Sequence, residues 1–410
     1  MENNAPLAGI RVVELARILA GPWIGQTLAD LGATVIKVES PEGDDTRRFG
    51  PPFIENADGT TPDAAYFHCC NRGKWSVAAD FTQPEGQQVL RNLAREADVV
   101  IENFKVGGLT KYGLDYGSLS ELNARLIYCS VTGFGQTGPY ASRPGYDAMI
   151  QAMSGIMDLT GEPERSPQKM GVALADIITG LYGVIAIQAA LVERARSGKG
   201  QHLDLALLDS MVGVLANQNM NYLVSGKAPK RMGNAHLNIV PYQVFPCSDG
   251  YLMLAVANDA QFTRVCELLD EPGLAADARF KTNAGRVTNR EILVDLLSAR
   301  MALEKRDWLL AGLERVGVPA GPINTLDDVF HDPQIVDRAM RIDLPAPWTK
   351  AGHVPGVRVP IRFSRSTTMQ TKASPRFGEL KLDDLKESKH VWTDLVARTA
   401  PSNDHGDDHR

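Results

Sequence analysis

Residues 10–39 read IRVVELARILAGPWIGQTLADLGATVIKVE, and the order of apolar patterns within them decides the fold class. Ile10 to Leu15 is a short β-branched run, Trp23 to Leu31 has helical spacing, and Thr34 to Glu39 is a second strand-like run. Val and Ile are stiff at χ1 and favour a pleated surface, whereas apolar residues at the helical period give one buried stripe. A strand, a helix and a strand in immediate succession predict a βαβ unit and a parallel sheet.

The same alternation continues outward. Pro84 to Ala97 reads as a helix opened by proline and acidic residues, Asp98 to Glu102 as a strand followed by a Gly107-Gly108 loop, and Leu126 to Val131 as a strand ending in Gly133-Phe134-Gly135. The expected fold is α/β, with a large Rossmann-like parallel-sheet domain whose ligands bind at loops after the carboxyl ends of strands. The glycine clusters at 107–108 and 133–138 fall there. Asp176 to Arg196 reads as one long helix closed by Gly198 and Gly200, His202 to Ala206 as a short strand, and Leu207 to Val224 as a further helix. Ser225 to Asn234 has the composition of a linker. Beyond it come an antiparallel hairpin over Tyr242 to Val256, turning at Ser248-Asp249-Gly250, and helices over Gln261–Asp270, Thr288–Met301 and Arg306–Val316. The expected organisation is the first part of the large domain over 1–225 and a smaller α+β domain over 226–325. A return to the large domain over 326–400 and a frayed tail over 401–410 complete it.

The chain has 410 residues, 44% hydrophobic and 22% charged, which is the balance of a globular protein of two or three domains. Its 43 Lys and Arg against 49 Asp and Glu leave a net charge of −6, which argues against a nucleic-acid binder, whose surface must be basic. The charge-free apolar stretch from Ile177 to Val192 is shorter than the roughly 20 residues of a membrane span and reads as a buried core helix. Met1 to Gly9 runs straight into the first strand, so no leader is expected. The five cysteines, Cys69 and Cys70 adjacent, have no zinc-ligand spacing, and the eight histidines make no metal pattern. A cytoplasmic protein with free thiols, no metal and no nucleic-acid or membrane partner is expected.

No GxxxxGK[ST] phosphate loop, HExxH or GxSxG occurs. The distinctive element is Asp176, an acid inside the small, apolar stretch GVALADIITG at 171–180. Two readings stand side by side. As a helix N-cap it satisfies orphan backbone N–H groups, worth about 1 kcal/mol. As a carboxylate nucleophile held at a helix N-terminus among small residues, it leaves space for a substrate.

Four stretches, in order, resemble the family III CoA-transferases, which include formyl-CoA transferases and carnitine CoA-transferases. They are PLAGIRVVELARILAGP at 6–22, GATVIKVE at 32–39, VIENF at 100–104 and the Asp176 segment. The similarity runs from about residue 6 to beyond 360. Gly43–Arg47, Gly50–Phe53, Thr132–Pro139 and Ile239–Gln243 are similar to members that use succinyl-CoA and glutarate. The resemblance implies the family fold, an interlocked homodimer, and transfer of CoA from an acyl-CoA donor, succinyl-CoA, to a short carboxylic acid. Glutarate is the expected acceptor, with malate, itaconate and citramalate as other short acids of the same kind. CoA thioesters are substrates, and no cofactor is implied. The resemblance makes Asp176 the nucleophile, passing through an aspartyl–acyl anhydride and an aspartyl–CoA thioester. Exchange of one thioester for another is nearly balanced, so no ATP site is needed, and backbone N–H groups in glycine loops suit the oxyanions that form.

The resemblance further places CoA against Ala79, Asp80, Phe81 and Thr82, against Asn103, Phe104, Lys105 and Lys111, and against Thr132, Gly133, Phe134 and Gly135. Lys111 stands where formyl-CoA transferases carry Arg, keeping the charge and losing the bidentate fork. Both Lys105 and Lys111 also read as ordinary solvated lysines. Ser40 replaces another Arg of those enzymes, and Arg47 or Arg48 would take over its contact with the nucleotide end. Substrate contacts are implied for Arg17, Ile18, Leu19, Tyr146, Gly233 and His236. Leu19 replaces a Gln, and the Arg17 fork would pair with the distal carboxylate of a dicarboxylate; a surface or dimer-interface arginine is its other reading. The stretch from Arg231 to His236 resembles a mobile glycine-containing loop over the site, and His236 also reads as a loop histidine with structural bonds.

Two other functions are weighed. The 2-methylacyl-CoA racemases of the same fold pair this aspartate with a histidine in a Gly-His-Asp segment. Here the segment is Gly145-Tyr146-Asp147, and tyrosine, with an ordinary pKa near 10, is a poor proton shuttle at neutral pH. A catalytically silent CoA-binding protein would need no carboxylate beside a thioester.

Overall fold

The computed structural model describes residues 4–387 and 391–399, and the chain divides into two units. The first takes the described residues up to Ile156, Met170–Asn219, and those from Pro333 onward. Its centre is a parallel sheet of six strands: β1 (Arg11–Glu14), β2 (Thr34–Glu39), β3 (Lys74–Ala78), β4 (Val99–Glu102), β5 (Ile127–Thr132) and β6 (His202–Ala206). The spatial order is β3-β2-β1-β4-β5-β6. It reverses direction between β1 and β4, the point at which doubly wound sheets open a crevice at their carboxyl ends. Glu14 lies opposite Lys37 on one side and Ile101 on the other.

Side chains alternate along each strand, so each strand feeds two cores. Val12, Val35, Val99 and Cys129 pack on the face covered by α1 (Ala20–Asp30), through Ile24 and Leu28, and by the helix that carries Asp176. Val13, Ile36, Val100 and Tyr128 pack on the opposite face with Val89, Leu90 and Leu93 of α2 (Pro84–Glu96). Covering both faces is what an all-parallel sheet requires. After β5 come α3 (Asp147–Met153), α4 (Leu174–Ser197), α5 (Leu207–Gly213) and α6 (Asn217–Ser225).

The observed elements depart from the expected ones at three points. The strand β3, KWSVA, carries a lysine and a serine at buried positions, and Lys74 is neutralised by Glu14 on a distant strand, so no local apolar pattern marks it. The single helix expected over Leu207 to Val224 is two: the first ends at Gly213, and the chain breaks before the second where Ala216 takes φ +46. The helix α4 is 24 residues long, and its length and apolarity suffice to cross a membrane. It is buried along one face only: Thr179, Gly183 and Ile187 are buried, while Ile185 and Val192 are 60% and 66% exposed. Gly180 and Gly183 let α4 approach α1, since a Cβ on Gly183 would overlap the Ile24 side chain.

The second unit takes Met157–Lys169 and Met220–Asp332, against an expected span of 226–325. Its three-stranded antiparallel sheet is ordered β9-β8-β7, with β7 at Tyr242–Cys247, β8 at Gly250–Ala255 and β9 at Ala320–Pro322. Helices Asp259–Leu268, Arg290–Met301 and Arg306–Arg315 supply Phe262, Leu293, Leu297 and Leu309 to its core. The tail at 401–410 lies outside the described residues.

Candidate active site

A cavity of about 670 Å³ opens at the carboxyl ends of β1, β3, β4 and β5, at the switch point of the sheet. Its walls come from residues 17–20 after β1, from Phe81 and Thr82 after β3, from residues 103–106 after β4, and from Thr132 and Gly133 where β5 ends. Asp176, in the first turn of α4, joins them, with Tyr146 and Asp147 at the start of α3. No histidine lines the cavity among the described residues, which leaves the racemase reading without its proton-transfer partner.

The turns are joined across the switch point. Asn103 Oδ1 accepts the Arg17 backbone N–H at 3.0 Å, and Asn103 Nδ2 donates to the Arg17 carbonyl at 2.7 Å. The Phe104 ring meets Phe81 edge-on at 5.4 Å, and Phe81 meets Tyr112 at 5.4 Å, forming an aromatic wall. The Arg17 guanidinium lies 5.9 Å from the centre of the Phe104 ring and 3.4 Å from the Asp45 carboxylate. Lys105 and Lys111 are exposed and line the same cavity, with Lys111 Nζ 4.7 Å above the Tyr112 ring. Mobile ammonium groups beside an apolar wall suit an anionic ligand with a stackable part.

Asp176 is the third residue of α4, so it is not the N-cap; that position falls on Ala173, which has no side-chain acceptor. The cap comes from outside the helix. Asp147 Oδ1 accepts the backbone N–H of Ala175 at 2.8 Å and of Asp176 at 3.4 Å. Asp147 Oδ2 accepts Gln151 Nε2 at 2.8 Å, and Gln151 Oε1 accepts the Met170 N–H at 2.9 Å. α3 therefore anchors both the segment entering α4 and its first turn. A helix N-terminus favours a carboxylate, but burial outweighs it here. Burial, helped by the Asp147 charge, pushes the Asp176 carboxyl up to about 7. The Tyr66 phenol is in turn pushed up by burial and by the Asp176 carboxylate, and it stays protonated.

Other expected residues shape the turns without lining the cavity. Ala79 is buried, and Asp80 Oδ1 accepts the N–H and hydroxyl of Thr82 at 2.9 and 2.6 Å. Phe134 packs on Tyr140 at 5.5 Å, and the N–H of Gly135 donates to Thr132 Oγ1 at 2.9 Å. Gly133 does line the cavity, and only a glycine fits: a Cβ there would sit 2.6 Å from the Gly145 Cα. Ser40 Oγ donates to the Gly43 carbonyl. Arg47 is not free for a nucleotide, since its buried guanidinium holds Glu39 at 2.7 Å and Asp63 at 2.6 Å and lies on the Phe67 ring. Arg48 pairs with Asp45 at 3.0 Å and donates to the Glu42 carbonyl. Gly233 and His236 belong to the second unit. There the Gly233 N–H donates to the Gly161 carbonyl, and His236 Nδ1 accepts the Asn238 N–H at 3.1 Å.

The sequence reading did not single out Arg143 or the role of Asp147. Arg143 lines the cavity with its guanidinium 3.9 Å from the centre of the Tyr140 ring. Asp147 stood in the quoted Gly145-Tyr146-Asp147 segment, but the N–H groups it caps lie 28 and 29 residues further on, beyond any local signal.

Comparison with known proteins agrees with this geometry. Residues 7–380 match the profile of CoA-transferase family III. The chain is 56% identical over 391 residues to a succinate–glutarate CoA-transferase of Agrobacterium fabrum, covering 95% of this chain and 97% of that one. It is 42% identical to a human succinyl-CoA:glutarate CoA-transferase, covering 94% of this chain and 87% of that one. A solved CAIB/BAIF family protein of Brucella suis superposes with a TM-score of 0.83 at 61% identity, covering 96% of this chain and all of that one.

Proposed function

The chain belongs to CoA-transferase family III, and on that premise we propose that it moves CoA from succinyl-CoA to glutarate or a similar short dicarboxylate, with Asp176 as the covalent nucleophile. The observation that carries this reading is the partly buried Asp176 carboxyl facing the cavity at the head of α4.

An Asp176 oxygen attacks the thioester carbonyl, the C–S bond breaks, and CoA leaves as its thiolate from an aspartyl–succinyl anhydride. The thiolate attacks the Asp176 carbonyl and expels succinate, leaving an aspartyl–CoA thioester. Glutarate attacks that carbonyl, again releasing the thiolate and forming an aspartyl–glutaryl anhydride. The thiolate then attacks the glutaryl carbonyl, giving glutaryl-CoA and the free Asp176 carboxylate. A carboxylate is normally far less basic than a thiolate, whose parent pKa is about 8.5. Raising the Asp176 carboxyl to about 7 brings nucleophile and leaving group closer and makes the first step less uphill.

CoA binding is assigned to Lys105, Lys111 and the aromatic wall, and recognition of the distal carboxylate of the acceptor to Arg17. The proposal needs no bound cofactor and places the protein in the cytoplasm, in keeping with its five free cysteines. It includes a homodimer, because Leu181, Tyr182, Ile185 and Val192 leave one face of α4 apolar and exposed, a face that a second copy would cover. Sedimentation at twice 44.6 kDa would support the dimer, and sedimentation at the single-chain mass would refute it.

The functional test follows glutaryl-CoA by chromatography after mixing succinyl-CoA and glutarate. Wild type forms it and Asp176→Ala does not. Exchange by Asp176→Ala at the wild-type rate would remove Asp176 from the role of nucleophile.

A further inference from the structure

Three charged residues on adjacent strands are buried beneath α1, and no step above uses them. Glu14 of β1, Lys37 of β2 and Lys74 of β3 are 0%, 1% and 0% exposed. Glu14 Oε1 accepts from Lys37 Nζ at 3.1 Å and from Lys74 Nζ at 2.9 Å, and Lys37 also pairs with Asp44 at 2.9 Å. Gly25 of α1 makes the room, since a Cβ there would overlap Glu14 Oε2. Stability does not account for such a cluster. Each ion loses its hydration, and apolar side chains of similar volume often serve a fold as well or better.

The turn after β1 holds the second observation. Ile18 has φ +71, a region in which a β-branched residue is a steric outlier. Strain of this kind persists only where the surroundings enforce it, and it clusters at functional sites. Ile18 lines the cavity between Arg17 and Leu19.

The two observations meet in the hydrogen bonds of the turn. Lys37 Nζ donates to the Ala16 carbonyl at 2.9 Å and Lys74 Nζ to the Pro22 carbonyl at 2.8 Å, one at each end. Between them, Asp44 Oδ1 accepts the Ile18 N–H at 3.4 Å, and the Cys70 thiol donates to the Ile18 carbonyl at 3.6 Å. Both peptide groups of Ile18 are thus held by side chains from beneath the turn.

We infer that Glu14, Lys37 and Lys74 are positioning residues: they clamp the turn at 16–22 so that Ile18 stays in the left-handed conformation and Arg17 and Leu19 face the acyl end of the substrate. What the turn touches rests on the transferase reading; the clamp on Ile18 does not. The cluster sets geometry and makes no contact with reacting atoms.

A double-mutant cycle between Lys37→Met and Ile18→Gly tests this, because glycine adopts a positive φ without steric cost and needs no clamp. Independent roles give additive losses and a shared role does not. Lys37→Met is expected to lower kcat/KM for succinyl-CoA to glutarate transfer about tenfold in the Ile18 chain and less than about threefold in the Ile18→Gly chain, with the loss of Tm likewise smaller in the second. Equal losses in both chains would overturn the clamp. If Lys37→Met does not fold, Lys37→Gln replaces it, since it removes the ammonium on the Ala16 carbonyl and keeps a polar side chain. The same dependence on residue 18 is expected, and its absence counts against the clamp. If wild type transfers no CoA, the transferase reading fails, and the cycle measured in Tm still decides the clamp.

Discussion

Asp147 accepts the backbone N–H of Asp176 at 3.4 Å through the same oxygen that caps Ala175 at 2.8 Å. One carboxylate thus fixes the first turn of α4 and raises the proton affinity of the other. The two effects separate on substitution. Asp147→Asn keeps an oxygen for the cap and removes the charge. Burial is the larger cause of the raised Asp176 carboxyl and Asp147 the smaller. The acid limb of kcat/KM, near pH 7 in wild type, should therefore move down in Asp147→Asn but remain above the ordinary carboxylate range. A pH–rate profile checks this, and an unmoved limb would detach Asp147 from the titration. Asp147→Ala should lower kcat further, because the cap is lost at a cost of about 1 kcal/mol.

The raised carboxyl also makes the site a thermodynamic burden at high pH. The Asp176 carboxyl goes from 3.8 in the ordinary state to about 7 in the fold. Between those values the native chain holds a proton that the unfolded chain has released, so stability declines as pH rises from about 4 through 7. Asp176→Asn removes that decline. Its Tm should exceed that of wild type by roughly 2–5 °C at pH 8 and match it near pH 4. Melting curves at the two pH values read the effect, and an Asn variant less stable at pH 8 would contradict it.

Arg17 is exposed and bound only loosely to Asp45 at 3.4 Å, so its guanidinium can turn to a substrate. Arg17→Ala should lower kcat/KM for glutarate about tenfold or more while changing that for a monocarboxylate such as butyrate by less than about threefold. Equal losses for both acids would make Arg17 a support for the turn and not a reader of the second carboxylate.

Lys105 and Lys111 supply positive charge where the CoA phosphates are proposed to lie, at the exposed rim of the cavity. Lys105→Ala and Lys111→Ala should each raise KM for succinyl-CoA several-fold, leave kcat within about twofold, and weaken the salt dependence of KM. A fall in kcat without a change in KM would place the lysines elsewhere in the cycle.

The parts of the fold that were legible in sequence are those with local causes. TVIKVE at 34–39 is β-branched and is a strand with the bounds expected; VVIE at 99–102 falls within its predicted run. The glycines after β4 and β5 mark turns, and Gly108 and Gly133 do reach the cavity. What stayed hidden depends on partners distant in the chain. Lys74 sits in a buried strand because Glu14, 60 residues earlier, balances it. Arg47, which looked available for a nucleotide, is held by Glu39 and Asp63. Asp176 stands at a helix N-terminus, as its sequence setting predicts, but the side chain that caps that helix is Asp147.

The most direct test of the account is the mass of the Asp176 peptide after the protein is incubated with succinyl-CoA alone and quenched with hydroxylamine. The aspartyl anhydride or thioester is trapped as the hydroxamate, so wild type should carry that mass shift on Asp176 only when succinyl-CoA is present. Glutaryl-CoA formation at the full rate with no hydroxamate at Asp176 would contradict the covalent mechanism.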